Sequence, residues 1–251
     1  MPTPELLSRI YNSNYYRDGE LQHGYLDYSA DAAHVARTYR RRLKFAKPFL
    51  GLAEKPAILE IGSALGFGLP EARDVLDARV AGCDVSEESV AACRNAGFDA
   101  HLSDAYGTCD ATAPDSLDMV FAFDVIEHLP DIRRFAYWLR RVLKPGGIFF
   151  VTTPDMDHLL NRLLGSRSPS IKVPQHVIYF TTSTLKRAFA QGFALAAHKW
   201  DFQYVGLGML LSRLAHIVGL PALKREFGPT LLVPNGMRMY VFRKEGPNGI
   251  T

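Results

Sequence analysis

Four clusters of residues carry side chains or backbone able to do chemistry. The first is Glu60-x-Gly62-x-x-x-Gly66-x-Gly68, where an apolar run turns polar and breaks into glycines just before a helical pattern near Leu69. Glycines at such a turn let the backbone pass close to a ligand, and the first N–H groups of the next helix face it. The second is Asp84, at the end of the short apolar run that begins at Arg79. The third is Asp124-x-x-Glu127-His128, closing the apolar run Met119-Val120-Phe121-Ala122-Phe123. The fourth is His176, just ahead of the aromatic stretch Val177-Ile178-Tyr179-Phe180. Carboxylates and imidazoles grouped at strand ends are suited to acid–base work, to orienting a hydroxyl, or to holding a cation.

The elements that position these groups alternate. From Ala57 onward, apolar runs of strand length exchange with helical stretches, the pattern of a parallel sheet with helices on both faces. In such sheets ligands bind at the carboxyl ends of the strands, and topology alone places Asp124, Glu127 and His128 there. Ser86 followed by Glu87 and Glu88 is a helix start, an N-cap with acids in the first turn. Asp131 caps a further helix carrying Ile132, Phe135, Leu139, Val142 and Leu143 on one face, which stops at Lys144-Pro145-Gly146-Gly147 before the strand Ile148 to Thr152. A helix from Ser183 runs to Gly192, and Leu195 to Gln203 and Arg238 to Arg243 read as the last two strands.

The glycine spacing differs from the G-x-G-x-x-G of dinucleotide folds. With its acid two residues before the first glycine, it resembles motif I of the class I S-adenosylmethionine-dependent methyltransferases. Ser116 to Pro130 resembles motif IV of that family, and Leu-Lys-Pro-Gly-Gly followed by an apolar strand is similar to its next motif. The histidine before an aromatic strand and a Thr/Ser-started helix resembles the ubiquinone-biosynthesis-like branch. The resemblance is dense from Ala57 to Pro154 and thinner beyond. It implies a Rossmann-like α/β fold: a doubly wound, seven-stranded, mostly parallel sheet with its last strand antiparallel and an N-terminal helical cap. S-adenosylmethionine is the implied cofactor and S-adenosylhomocysteine the product. The implied cofactor residues are Glu60, Gly62, Ser63, Gly66, Asp84 at the ribose, Val85, Asp104 at the adenine amino group, Phe123 and Asp124. Asp104 also reads as an ordinary turn aspartate.

Methyl transfer asks for alignment, exclusion of water and, at a hydroxyl, removal of a proton. His176 and His128 are the candidate bases, since imidazole ordinarily titrates near neutrality; each also reads as a hydrogen-bonded structural histidine. Asp124-x-x-Glu127-His128 resembles the Glu-x-x-Glu-His of metal-using ubiquinone-pathway O-methyltransferases, with the shorter aspartate in first place, and no metal is assigned on it. The Asn/Asp/Ser-Pro-Pro-Tyr/Phe run frequent in nitrogen-methyltransferases does not occur, which favours oxygen. The implied acceptor is a small molecule, sugar or glycan. Two other readings stand beside this one. A nicotinamide-dependent oxidoreductase lacks its glycine spacing here, and the Tyr240-x-x-x-Lys244 string falls in a strand. A non-catalytic S-adenosylmethionine-binding module is the other.

Residues 1–50 read as a cap or lid, and 51–251 as the methyltransferase domain with a helical insertion at about 205–228. Tyr11, Tyr15, Tyr16, Tyr25, Tyr28 and Tyr39 either pack outside the domain or cover the cofactor. The run Arg37, Arg40, Arg41, Arg42, Lys44 and Lys47 reads as a solvated helix face or as a grip on an anionic substrate. The apolar stripe Leu207, Met209, Leu210, Leu211, Leu214, Ile217 and Val218 packs on the domain, on a sister subunit in a homodimer, or on an apolar acceptor or membrane surface. A net charge of +3 gives no argument for nucleic acid. Cys83, Cys93 and Cys109 form no C-x-x-C pair, Met1 to Ile10 holds prolines and charges, and no apolar run approaches the roughly 18 residues of a membrane span. A cytoplasmic protein is the expectation.

Overall fold

The computed structural model describes residues 32–51, 53–106, 112–168, 170–217 and 228–246. The tyrosines from Tyr11 to Tyr28, Cys109 and the end of the stripe at Val218 lie outside these residues. Strands β1 (Ala57–Ile61), β2 (Arg79–Asp84), β3 (Asp99–Leu102), β4 (Leu117–Phe123), β5 (Leu143–Pro154), β6 (Phe193–Gly206) and β7 (Thr230–Lys244) form one sheet in the order β3-β2-β1-β4-β5-β7-β6. The first five are parallel, and β7 runs antiparallel between β5 and β6. The order reverses between β1 and β4, the switch point where a crevice opens at the carboxyl ends.

The central strands are apolar throughout because both faces are covered. In β4 the period of two sends Met119, Phe121 and Phe123 to one side and Val120 and Ala122 to the other. The first side is packed by α1 (Ala32–Ala46) and α2 (Gly68–Leu76), through Leu43, Ala46, Ala72 and Leu76. The second is packed by α4 (Ile132–Val142) and α6 (Thr182–Phe189), through Trp138, Leu139, Leu185 and Phe189. Helix α3 (Glu87–Asn95) covers the β2 and β3 edge with Val90 and Cys93, and the short helix α5 (Leu159–Leu164) lies between β5 and α6 in the chain.

The caps follow the sequence. Ser86 accepts from Ser89 N and Asp131 from Arg134 N. Helix α6 begins at Thr182, one residue ahead of the expected start, because Thr181 and Thr184 close a reciprocal capping box. The Lys144-Pro145-Gly146-Gly147 tetrad is taken up as a bulge in β5, with Leu117 opposite Leu143 and Met119 opposite Ile148. Strands β6 and β7 are longer than expected. They continue past the sheet as a two-stranded ribbon, from Phe202 opposite Pro234 to Gly206 opposite Thr230. Its alternating burial hides it from a reading of apolar runs. Helix α7 (Leu207–Ile217) follows the ribbon, with Met209 buried. Among the described residues, no helix is long and apolar enough to cross a membrane.

Candidate active site

Strand β1 ends at Ile61, and the chain turns back through Gly62 and Gly66, both at positive φ (72° and 80°). An L-residue adopts that backbone rarely, and a Cβ on Gly62 would lie 2.6 Å from Val125 Cγ2. The turn is fastened to β2 by Gly62 N and Ser63 N, which both donate to Cys83 O. Helix α2 then starts with no side-chain cap. Asp84 completes this half of the site. Its Oδ2 accepts from Ala64 N and its Oδ1 from Ser86 N, each at 2.9 Å. Burial pushes its pKa up, and these amides oppose the rise. The neighbouring Val85 is 53% exposed, and Asp104, beyond β3, accepts from Tyr106 N.

Glu60 lies beneath the turn rather than on its open side: a Cβ on Gly68 would collide with its carboxylate and with the Tyr39 ring. Burial, with the Asp84 charge adding to it, holds the Glu60 pKa well above the usual carboxylate range, the Tyr39 phenol opposing. The folded chain therefore keeps the proton to higher pH than the unfolded chain. The resulting stability is complete below the ordinary glutamate pKa and is lost as pH rises through the folded value. Glu60→Gln, neutral at every pH, is expected to raise the melting temperature of the ligand-free protein at pH 8, by roughly 2–4 °C for each kcal/mol recovered, and to flatten the fall in stability from pH 5 to 8. A lower melting temperature at pH 8 would contradict this.

The second half of the site forms where β4 ends. Asp124 has φ +60°, a left-handed conformation that aspartate tolerates at some cost. It is held by Asp124 N donating to Thr152 O, by Thr152 Oγ1 donating to Asp124 Oδ1 at 2.6 Å, and by an ion pair with Arg42 at 3.6 Å. Phe123 packs with its ring centroid 5.0 Å from those of both Tyr39 and Phe150 and underlies the Arg42 guanidinium.

The single turn Ile126–His128 carries Glu127 and His128 inward. Glu127 O accepts from Val177 N and Ile178 N, which ties the segment around His176 to the end of β4. The His128 and His176 rings meet edge to face, with centroids 4.8 Å apart. His128 Nδ1 lies 2.9 Å from Gln175 O, and His176 Nδ1 2.9 Å from Ser170 O. A carbonyl only accepts, so both Nδ1 atoms carry the hydrogen, and in each neutral ring the lone pair is on Nε2. Burial lowers the pKa of His128 to about 4, and burial with the charges of His128 and Lys172 lowers that of His176 to about 3. Both rings are thus neutral well below the range in which imidazole ordinarily titrates. Glu127 moves the other way, to about 8, through burial and the Asp124 charge. Its Oε2 accepts from Thr153 Oγ1, while Oε1 is buried without a hydrogen-bond partner.

Arg42 is the site residue that the sequence reading did not separate from its neighbours. It is buried, not on a solvated face, and donates through Nε and Nη2 to Asp201 Oδ2 at 3.0 and 2.7 Å. Arg41 Nη1 and Asn235 Nδ2 complete the shell of Asp201. Burial opposes the charge on Arg42, but Asp124 and Asp201 outweigh it and raise its pKa. The signal was its place, four residues from both Thr38 and Ala46 on the buried stripe. Elsewhere, Tyr240 is buried on β7 and bonded to Thr182, while Lys244 reaches Asp115 and Leu143 O, so the Tyr-x-x-x-Lys string forms no common site.

A crevice at the switch point, a glycine turn after β1, an acid after β2 and a polar cluster after β4 define the class I methyltransferase architecture. A methyltransferase domain family matches residues 32–198, and the chain belongs to that family. The ubiquinone biosynthesis O-methyltransferase of Chelativorans sp. is 32% identical over 148 residues, covering 57% of this chain and 54% of that protein. Its counterpart from Bradyrhizobium sp. is 34% identical over 131 residues, covering 51% of this chain and 49% of its own length. The chain thus spans about half the length of the curated relatives it matches. In fold it is similar to an S-adenosylmethionine-dependent methyltransferase from Archaeoglobus fulgidus, with a TM-score of 0.56 at 16% identity over 85% of this chain and 97% of that one.

Proposed function

We propose that the protein transfers a methyl group from S-adenosylmethionine to a hydroxyl oxygen of a small-molecule acceptor, sugars and glycans included. The carrying observation is that the Gly62–Gly66 turn and Asp84 open at the same edge of the sheet as Asp124, Glu127, His128 and His176, with β1 lying between β2 and β4. The glycine cradle, which a Cβ at Gly62 would fill, and the buried carboxylate of Asp84 suit the backbone and the ribose of a nucleoside ligand. The similarity to relatives named for O-methylation supports oxygen as the acceptor atom.

When bound, S-adenosylmethionine supplies an electrophilic methyl group on a sulfonium sulfur. Asp84 would accept from the ribose hydroxyls, and Ser63 would line the turn. Val85 and Asp104 would hold the adenine, Asp104 at its amino group. Arg42 and Asp124 set a guanidinium beside a carboxylate, the complement of the carboxylate and ammonium of an amino-acid end. Phe123 supports that pair from below. One neutral imidazole, that of His176 or in its place that of His128, would accept a hydrogen bond from the acceptor hydroxyl, align its oxygen and take up its single proton as the carbon–oxygen bond forms and the methyl–sulfur bond breaks.

The acceptor class is tested by turnover with a panel of phenols, catechols, sugars and primary amines, reading S-adenosylhomocysteine and the position of the methyl group by mass spectrometry and NMR. O-methyl products are expected. Methylation of the amines alone would overturn the oxygen assignment.

A further inference from the structure

Helix α5 turns Asn161 inward, and the side chain is buried. Its Nδ2 donates to both Asp155 O and Gly236 O, each at 2.8 Å. Carbonyls only accept, so the amide cannot be turned over, and Oδ1 must face Ser168, whose Oγ donates to it at 2.7 Å. A Cβ on Gly236 would lie 2.5 Å from that Oδ1, so packing holds the amide as well. With its hydrogen committed to Asn161, the Ser168 hydroxyl accepts from Ser170 N at 3.1 Å. The next peptide is fixed in turn. Ile171 N donates to Ser168 O, and in a trans peptide the Ser170 carbonyl then points the opposite way, where His176 Nδ1 donates to it at 2.9 Å. Ser168, Ser170 and His176 are all buried, so no bulk water competes for these bonds.

We propose that Asn161 is a positioning residue for His176, acting through Ser168 and the Ser170 carbonyl to hold the imidazole in its Nδ1–H tautomer. Every donor in the chain points toward Asn161: His176 Nδ1 to Ser170 O, Ser170 N to Ser168 Oγ, and Ser168 Oγ to the amide oxygen. Breaking the chain at Asn161 or Ser168 frees the turn 168–171 and, with it, the carbonyl that fixes the ring. In water a neutral imidazole prefers its hydrogen on Nε2. A ring released from Ser170 O therefore moves toward the form with a donor at Nε2, which can neither accept from a hydroxyl nor take up its proton at that atom. The effect on rate rests on the methyl-transfer reading, with His176 as the accepting ring; the control of the tautomer does not.

The test uses the full chain carrying nitrogen-15-labelled histidine and reads the ring proton–nitrogen correlations by NMR at pH 7, without cofactor or acceptor; His176→Gln assigns the ring. Wild type, which needs no variant, should show the His176 hydrogen on Nδ1. Asn161→Ala, and the milder Ser168→Ala that deletes one oxygen, should each give signals with the hydrogen on Nε2. With an acceptor from the panel above, their kcat should fall by about tenfold or more while KM for S-adenosylmethionine stays within about threefold, because a group behind a reacting imidazole acts on the chemical step. Leu76→Ala opens a cavity in the core beneath α2 and should lower the melting temperature while leaving the tautomer as in wild type, which separates positioning from a general loss of stability. Circular dichroism selects the folded variants. A wild-type ring with its hydrogen on Nε2, an unchanged tautomer in either folded variant, or the same tautomer change in Leu76→Ala would overturn the proposal. A chain that shows the tautomer change but transfers no methyl group loses the function proposed above and keeps the positioning role. One that methylates with its tautomer unchanged in the folded variants does the reverse.

Discussion

Arg42→Met is expected to destabilise the protein by about 3–5 kcal/mol, the range for removing one partner of a buried ion pair. The guanidinium is buried and donates twice to Asp201, itself fully buried, while also facing Asp124. Methionine matches much of the volume and keeps the packing on Phe123, so the loss isolates the charge. Asp201 would be left with Arg41 and Asn235 alone, and Asp124, already in a left-handed conformation, would lose its counter-charge. Urea denaturation of wild type, Arg42→Met and the double variant Arg42→Met/Asp201→Leu checks the account. The double variant should recover a large part of the loss, because an apolar pair in that place leaves no charge uncompensated. A single variant within 1 kcal/mol of wild type would contradict it.

The second large effect is on the cofactor. Asp84→Ala should lose about 1.5–3 kcal/mol for each charge-assisted hydrogen bond to the ribose, a factor of roughly 10 to 150 in affinity per bond. Asp84 also holds Ala64 N and Ser86 N, so its removal loosens the glycine turn and frees the start of α3. Asp84→Asn, which keeps one oxygen acceptor, should fall between wild type and alanine. Equal affinity in all three would remove the ribose role.

The site was legible in the sequence wherever local chemistry determines it. Strands β1, β4 and β5 are buried on both faces and so appear as apolar runs, and their ends are marked by glycines at Gly62 and Gly66 and by the polar cluster after Phe123. The caps at Ser86 and Asp131 were readable for the same reason, since each acts within three residues. What depends on distant partners was not. Arg42 looks like its neighbours Arg40 and Arg41 until Asp201, 159 residues away, takes it into the core. The imidazoles of His128 and His176 were expected to titrate near neutrality. Their meeting in a buried cluster beside Lys172 moves them far below that, and no local pattern announces the burial. The far end of the β6–β7 ribbon, beyond Gln203 on β6 and before Arg238 on β7, escaped notice because its side chains alternate in exposure.

The central claim, that the crevice at the switch point between β1 and β4 holds S-adenosylmethionine, is tested most directly by isothermal calorimetry of the purified chain with S-adenosylhomocysteine, with NADH and NADPH as competitors. The account expects one equivalent of S-adenosylhomocysteine to bind, the nicotinamide dinucleotides not to displace it, and Asp84→Ala to weaken it by at least about tenfold. Binding of a nicotinamide dinucleotide in its place, or no binding of either by the folded chain, would contradict the account.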